Sequence, residues 1–318
     1  MDMSNTSSPP REISRVGVLD LTGPGAAEAL DGVSRISRVG VILAPASVLP
    51  RLARIELDRV GATVPIPEGE HMKVHVHTGQ TISSGAALAN PNGGPQDVMV
   101  VTGQLVITSP VESVGYGHLV VTGQVVAPAG SETALSAGLS TLTGQALYYP
   151  YQEGWTIKLL SGHARLSGAS MANPAGSASD VLLAIEDLVV SGPIEDIGYA
   201  QLVCLGAMLL PRVDEPRLVG RAWGDPVVFY SAPPRVFSGV HHFDRTFFEF
   251  LDERITWVLS GVNEVADDVT PDLIKEKVAD IVVSGRLRGP RVVLSAIQAL
   301  ASVCSGKVEP NGAPEDDA

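Results

Sequence analysis

The chain has 318 residues, 45% hydrophobic but only 5% aromatic, with 33 glycines, 23 prolines and a formal charge of −13. That charge argues against a reader of nucleic-acid phosphates, which needs clustered Lys and Arg, and against adsorption to an anionic membrane. A composition of small and β-branched residues suits stacked strands better than a helical bundle.

Residues 1–12 are polar and Ser/Pro-rich and read as a disordered tail. They hold no apolar signal-peptide core, and no apolar run in the chain approaches the roughly 20 residues of a membrane span. The expectation is a soluble cytoplasmic protein, with Cys204 and Cys304 as reduced, buried thiols.

The first strand pattern is Ile13–Leu21, restated at Ile36–Pro45. Further on the chain repeats itself. Ser84–Pro128 and Ser167–Pro211 align over 45 positions at a shift of 83, without a gap and with 19 identities. The same shift relates Pro45, Pro128 and Pro211, and also Leu52, Leu135 and Leu218. A fourth copy follows at a shift of 79, with Gly285, Pro290 and Ile297 in the places of Gly206, Pro211 and Leu218.

Each copy resolves into shorter units. Gly40, Gly61, Gly79, Gly103 and Gly123 are 21, 18, 24 and 20 residues apart. Gly79, Gly103, Gly123 and Gly144 each sit in a Thr-Gly-Gln tripeptide, flanked by runs such as VMVVTGQLVI. Short apolar runs bounded by Gly, Pro, Asn and Ser, at a period near 20, predict an all-β fold. The expected architecture is a β-solenoid or β-helix of about fourteen coils in four super-repeats of about 83 residues.

The pattern breaks in the third copy. The repeats are expected over 13–242 and a diverged last repeat with helices over 243–308, ahead of an acidic disordered tail at 309–318. Phe243, Phe247, Leu251 and Ile255 recur at helical spacing, which predicts an amphipathic helix within 243–258. A second helix is predicted over Thr270–Ala279, with Thr270 as N-cap and Pro271 first. These helices read as a cap on an open edge or as a docking surface, with Phe243, Phe247, Phe248, Phe250 and Trp257 as candidate interaction residues.

Motifs of known chemistry are missing: there is no P-loop, GxSxG, HExxH, CxxC pair or strand-borne GxGxxG, so no cofactor and no catalytic set is assigned. His71, His75 and His77 would share one face of a strand and are the weak metal candidates. His241 and His242 with Asp244 form a second such group. For a sugar-cleaving β-helix the best carboxylates are Glu195 and Asp196, with Glu186 and Asp187 nearby, and only Glu195 recurs, as Glu112. The recurring Tyr116 and Tyr199 read as packing over a neighbouring glycine.

With short VxxTGQVVx-like units over about residues 13–240, flanked by polar tails, the chain resembles the bactofilins. Those are bacterial β-solenoid proteins that polymerise without nucleotide into cytoskeletal filaments and scaffolds. The resemblance implies a non-enzymatic scaffold, a rigid acidic solenoid that self-associates or docks protein partners, with no nucleic acid and no membrane span. The alternative is a carbohydrate-active β-helix that binds or cleaves polysaccharide.

Overall fold

A computed structural model describes residues 11–67 and 72–312. The chain divides into two compact units, Met1–Gln152 and Glu153–Ala318. The division falls inside the second 83-residue copy, not at 242/243 where the composition changes. Among the described residues no helix is long and apolar enough to cross a membrane.

The first unit holds two sheets. One contains β1 (Arg11–Asp20), β2 (Val33–Pro45) and β3 (Glu56–Ile66). The other contains β4 (Val74–Ser83), β5 (Val98–Ile107), β6 (His118–Pro128) and β7 (Leu139–Tyr149). Within each sheet the strands run parallel in sequence order. The ends of the central strands β5 and β6 are buried on both faces, which is why Val98–Val101 and Leu119–Val121 are continuous apolar runs. Val98 and Val100 meet Val41, Leu43, Val64 and Ile66 of the first sheet. Met99 and Val101 point the other way, into a core with Leu88 and Leu135.

The second unit also stacks strands in parallel, but its strands are shorter and successive ones alternate between two sheets. Its first half comprises β8 (Thr156–Leu160), β9 (Ala164–Ser167), β10 (Asp180–Ala184), β11 (Leu188–Ser191), β12 (Gln201–Cys204), β13 (Met208–Pro211), β14 (Ala222–Trp223) and β15 (Val227–Tyr230). Its second half comprises β16 (Pro234–Phe237), β17 (Val240–Phe243), β18 (Ile255–Leu259), β19 (Val262–Val265), β20 (Val278–Val283), β21 (Arg286–Gly289), β22 (Ala301–Cys304) and β23 (Lys307–Pro310). Even-numbered strands pair with even and odd with odd, always in parallel, giving four four-stranded sheets. Each turn of the chain therefore lays one strand on each of two sheets.

Short helices recur between these strands, so they are not confined to the C-terminal region as the sequence suggested. They are α1 (Ala26–Ala29), α2 (Leu49–Leu52), α3 (Gly85–Leu88), α4 (Glu132–Gly138), α5 (Glu215–Leu218), α6 (Arg245–Glu249), α7 (Pro271–Lys277) and α8 (Arg291–Leu300). The four-fold sequence correspondence has its physical cause here. Leu52, Leu135, Leu218 and Ile297 are each the buried apolar anchor of a helix, on α2, α4, α5 and α8. Burying a Leu or Ile is worth about 1.5–3 kcal/mol, enough to fix the side on which a four-residue helix lies.

Three expectations need correction. The helix expected within 243–258 is only α6, capped by Asp244, whose Oδ1 accepts the Phe247 N–H at 2.9 Å. Phe243 ends β17, and Ile255 begins β18, a β-branched and aromatic run paired on both sides. That pairing outweighs a fortuitous helical period. α7 starts as foreseen, with Thr270 Oγ1 accepting the Leu273 N–H at 3.3 Å, but it stops at Lys277 because Val278–Val283 join a sheet. Finally, Arg11 and Glu12 lie in β1, and Glu309 and Pro310 lie in β23, so neither pair belongs to a tail.

Candidate functional site

The duplicated lead-in to β5 and β10 builds the most elaborate polar arrangement. Ser84 and Ser167 cap the turns that follow them, accepting the N–H of Ala87 at 3.1 Å and of Ser170 at 3.3 Å. Asn90 and Asn173 then take a left-handed backbone, φ 49° and 48°, which asparagine tolerates better than most residues. Their side-chain amides reach Asp97 and Asp180, at 3.5 and 3.0 Å.

Both carboxylates are almost wholly buried. Asp97 accepts the backbone N–H of Gly94 at 2.9 Å and of Lys73 at 3.0 Å, and Asp180 accepts that of Ser177 at 2.9 Å. Backbone donors hold Asp97 below the usual aspartate range, and the Asn173 amide does most of the same for Asp180. One half-exposed basic side chain completes each cluster, His75 at 3.9 Å from Asp97 and Lys158 at 3.8 Å from Asp180. Tyr116 meets His75 edge-on, and burial raises the hydroxyl pKa of both Tyr116 and Tyr199. These hydrogen bonds tie the buried carboxylates into the fold, so the duplicated cluster acts as a latch closing the turn onto its neighbour.

The second recurring surface is the Thr-Gly-Gln rung. Gly79, Gly103, Gly123 and Gly144 fall in register across β4–β7. Gln80 Nε2 donates to Gln104 Oε1 at 2.9 Å, and Gln104 Nε2 donates to Gln124 Oε1 at 2.6 Å, forming an amide ladder exposed at Gln80 and half-buried beyond it. A side chain at Gly123 would overlap the carbonyl of Gly103, and one at Gly144 that of Gly123, so glycine is required by close backbone approach as well as by positive φ.

The metal and acid candidates do not converge. His71 lies outside the described residues. His75 turns to Asp97, and the backbone carbonyl of His77 takes the Thr102 hydroxyl. His241 Nε2 lies 2.8 Å from the Ser238 carbonyl, His242 pairs with Glu264 at 3.7 Å, and Asp244 is committed to capping α6. Among the described residues no three His, Cys, Asp or Glu side chains gather as a metal site requires. Of the acids, Glu186 and Asp187 flank His163 at 3.1 and 3.3 Å, Asp196 caps its own turn through the Ile197 N–H, and Glu112 lines a separate hollow. Glu186 and Asp187 thus meet at one histidine ring, whereas Glu112 lies apart from them in its own hollow.

The aromatic candidates divide. Phe243, Phe248 and Trp257 are core residues, and their rings stack edge-to-face at 4.8–5.2 Å. Phe247 packs partly buried against them, and only Phe250, 80% exposed, offers free surface. Burial removes the first three from any docking surface. Cys204 is buried as expected, but Cys304 is exposed on β22.

Two buried pairs escaped notice in the sequence. Tyr149 and Tyr230 donate their hydroxyls to Ile107 and Val190, both at 2.7 Å. Ser131 Oγ accepts the Val111 N–H at 3.1 Å, and Asp214 Oδ2 accepts that of Ile194 at 2.8 Å. Ser131 and Asp214 are 83 residues apart, so the repeat arithmetic pointed to them, but the change of residue type hid the shared role.

No protein-family model matches the chain, and no curated protein or solved structure is significantly similar to it.

Proposed function

We propose that this chain is a β-solenoid scaffold protein, about fourteen coils in four super-repeats, that self-associates or docks protein partners and carries no catalytic centre. One observation supports this most directly. The end strands β1, β22 and β23 have a strand neighbour on one side only, and the side chains of β1 are largely exposed, those of β22 half so. An open parallel edge is a template for another strand. The kinship is architectural, with the bactofilins as the nearest analogy in kind, and the setting is a bacterial cytoplasmic scaffold.

The interior serves the same end. The buried polar groups described above are absorbed by the fold, and the recurring surface features, the amide ladder and the sheet edges, are geometric and suit self-pairing. The polysaccharide reading is weakened because Glu186, Asp187 and Asp196 are engaged within the fold.

Sedimentation and negative-stain microscopy of the purified full chain test the proposal. Concentration-dependent assembly is expected, reduced by Cys304→Lys, which places a charge on the β22 edge. A particle that stays monomeric at every concentration and captures no protein partner would overturn it.

A further inference from the structure

The sequence writes one local pattern three times in the first sheet: Ile13-Ser14-Arg15-Val16-Gly17, Ile36-Ser37-Arg38-Val39-Gly40 and Leu57-Asp58-Arg59-Val60-Gly61. The strands align these copies. Ser14 pairs with Ser37 and Ser37 with Asp58, while Val16 pairs with Val39 and Val39 with Val60. Arg15, Arg38 and Arg59 therefore share one rung, about 4.8 Å apart along the stack. All three have a left-handed backbone, at φ 60°, 54° and 53°.

Two costs are accepted at this rung. A left-handed backbone is sterically unfavourable for arginine, whereas glycine or asparagine would adopt it readily. Like charges on adjacent strands also repel. The second sheet shows the cheaper solution, since its positive-φ rung is glycine throughout, at 79, 103, 123 and 144. Strain retained three times over is a pointer to use.

The three guanidiniums are exposed, and among the described residues none makes a side-chain hydrogen bond or an ion pair. The nearby acids are engaged elsewhere. Arg35 holds Asp58 at 2.5 Å and Glu56 at 3.8 Å, and Glu12 accepts the Ser37 hydroxyl at 2.7 Å. A polar hollow of about 410 Å³ takes in Arg15, Arg35 and Arg38 together with Ser14 and the engaged acids Glu12 and Asp58, and Arg59 lies outside its lining.

We propose that Arg15, Arg38 and Arg59 form a binding site for a linear phosphate chain. A single phosphate is too small to span three rungs. Nucleic acid binding relies on more phosphate contacts than three cations supply. An extended acidic peptide presents same-side carboxylates about 6.8 Å apart, out of step with the rung. A flexible phosphate chain carries charge on every group and meets the ladder without that mismatch, and arginine forks suit its oxygens.

Equilibrium binding of labelled inorganic polyphosphate to the full chain at low salt tests this. The wild type is expected to bind, and the triple variant R15N/R38N/R59N to bind at least tenfold more weakly. Asparagine tolerates the left-handed backbone, so an unchanged thermal melt shows that the fold is retained. Tripolyphosphate and ATP serve as competitors. Equal potency assigns the site to the bare phosphate chain, and greater potency of ATP assigns it to a nucleotide, both within the proposal. The proposal is overturned by no wild-type binding, by equal binding of the triple variant, or by orthophosphate or oligoglutamate competing as well as tripolyphosphate.

Discussion

Asn173 Nδ2 stands 3.0 Å from Asp180 Oδ2, and 83 positions earlier Asn90 makes the same approach to Asp97 at 3.5 Å. In both, a left-handed asparagine and a buried carboxylate tie a turn to the start of a strand. Both carboxylates are held below their ordinary pKa. A depressed folded pKa contributes stability that is complete above the unfolded value near 3.9 and is lost as pH falls through the folded value. The denaturation midpoint should accordingly show no loss from this source above about pH 5 and a decline below about pH 4. In the double variant D97N/D180N the midpoint is expected to be lower at neutral pH and the acid decline shallower. Chemical denaturation across pH 2–8 measures both, and an unaltered acid limb would remove the latch from the account.

Gly123 sits at φ 139° with its backbone against the Gly103 carbonyl. Gly123→Ala brings both strain and overlap, and should destabilise by roughly 3 kcal/mol or more. Gly130, also at positive φ but with open space around it, tests the contribution of strain alone. Gly130→Ala should cost only about 1 kcal/mol. Similar melting curves for the two variants would show that close strand approach is not what requires glycine at 123.

The two thiols should behave differently. Burial pushes the Cys204 thiol up to about 12, and its Sγ lies 3.0 Å from the Glu186 carbonyl. Cys304 is exposed. Under native conditions a maleimide should label Cys304 within minutes and leave Cys204 unmodified until the protein unfolds. Peptide mapping by mass spectrometry reads the difference, and equal labelling would contradict the packing around β12.

Trp257 and Phe250 separate core from surface within one aromatic cluster. Trp257 is fully buried between Phe243 and Phe248, so Trp257→Ala should cost about 3–5 kcal/mol. Phe250, 80% exposed, should tolerate Phe250→Ser within about 0.5 kcal/mol. Urea unfolding of the two variants decides it, and a large loss at Phe250 would place that ring in the core.

Repetition made much of the fold legible. Stacking identical tripeptides in register places Gly79, Gly103, Gly123 and Gly144 on one rung, and the sequence already displayed them at intervals of 24, 20 and 21 residues. The anchors Leu52, Leu135, Leu218 and Ile297 were legible for the same reason, since each fills the same slot in its own copy. Helix length was not. A four-residue helix has no period of its own, and α2, α3 and α5 exist because one apolar side chain is drawn inward by the adjoining strands. The misread stretch 243–258 shows the reverse case, an i, i+4 pattern overruled when Ile255–Leu259 found strands on both sides.

Sequence alone determined the repeat length, the strand-rich character and the positions where backbone must approach backbone, because those follow from local chemistry recurring at a near-constant interval. Only the tertiary structure decided which side chains are spent and which are free. Asp97, Asp180 and Trp257 are consumed inside, while Arg15, Arg38 and Arg59, separated by 23 and 21 residues in the chain, meet on one exposed rung. The register of strand pairing sets that meeting, and register depends on contacts between distant residues that no local pattern records.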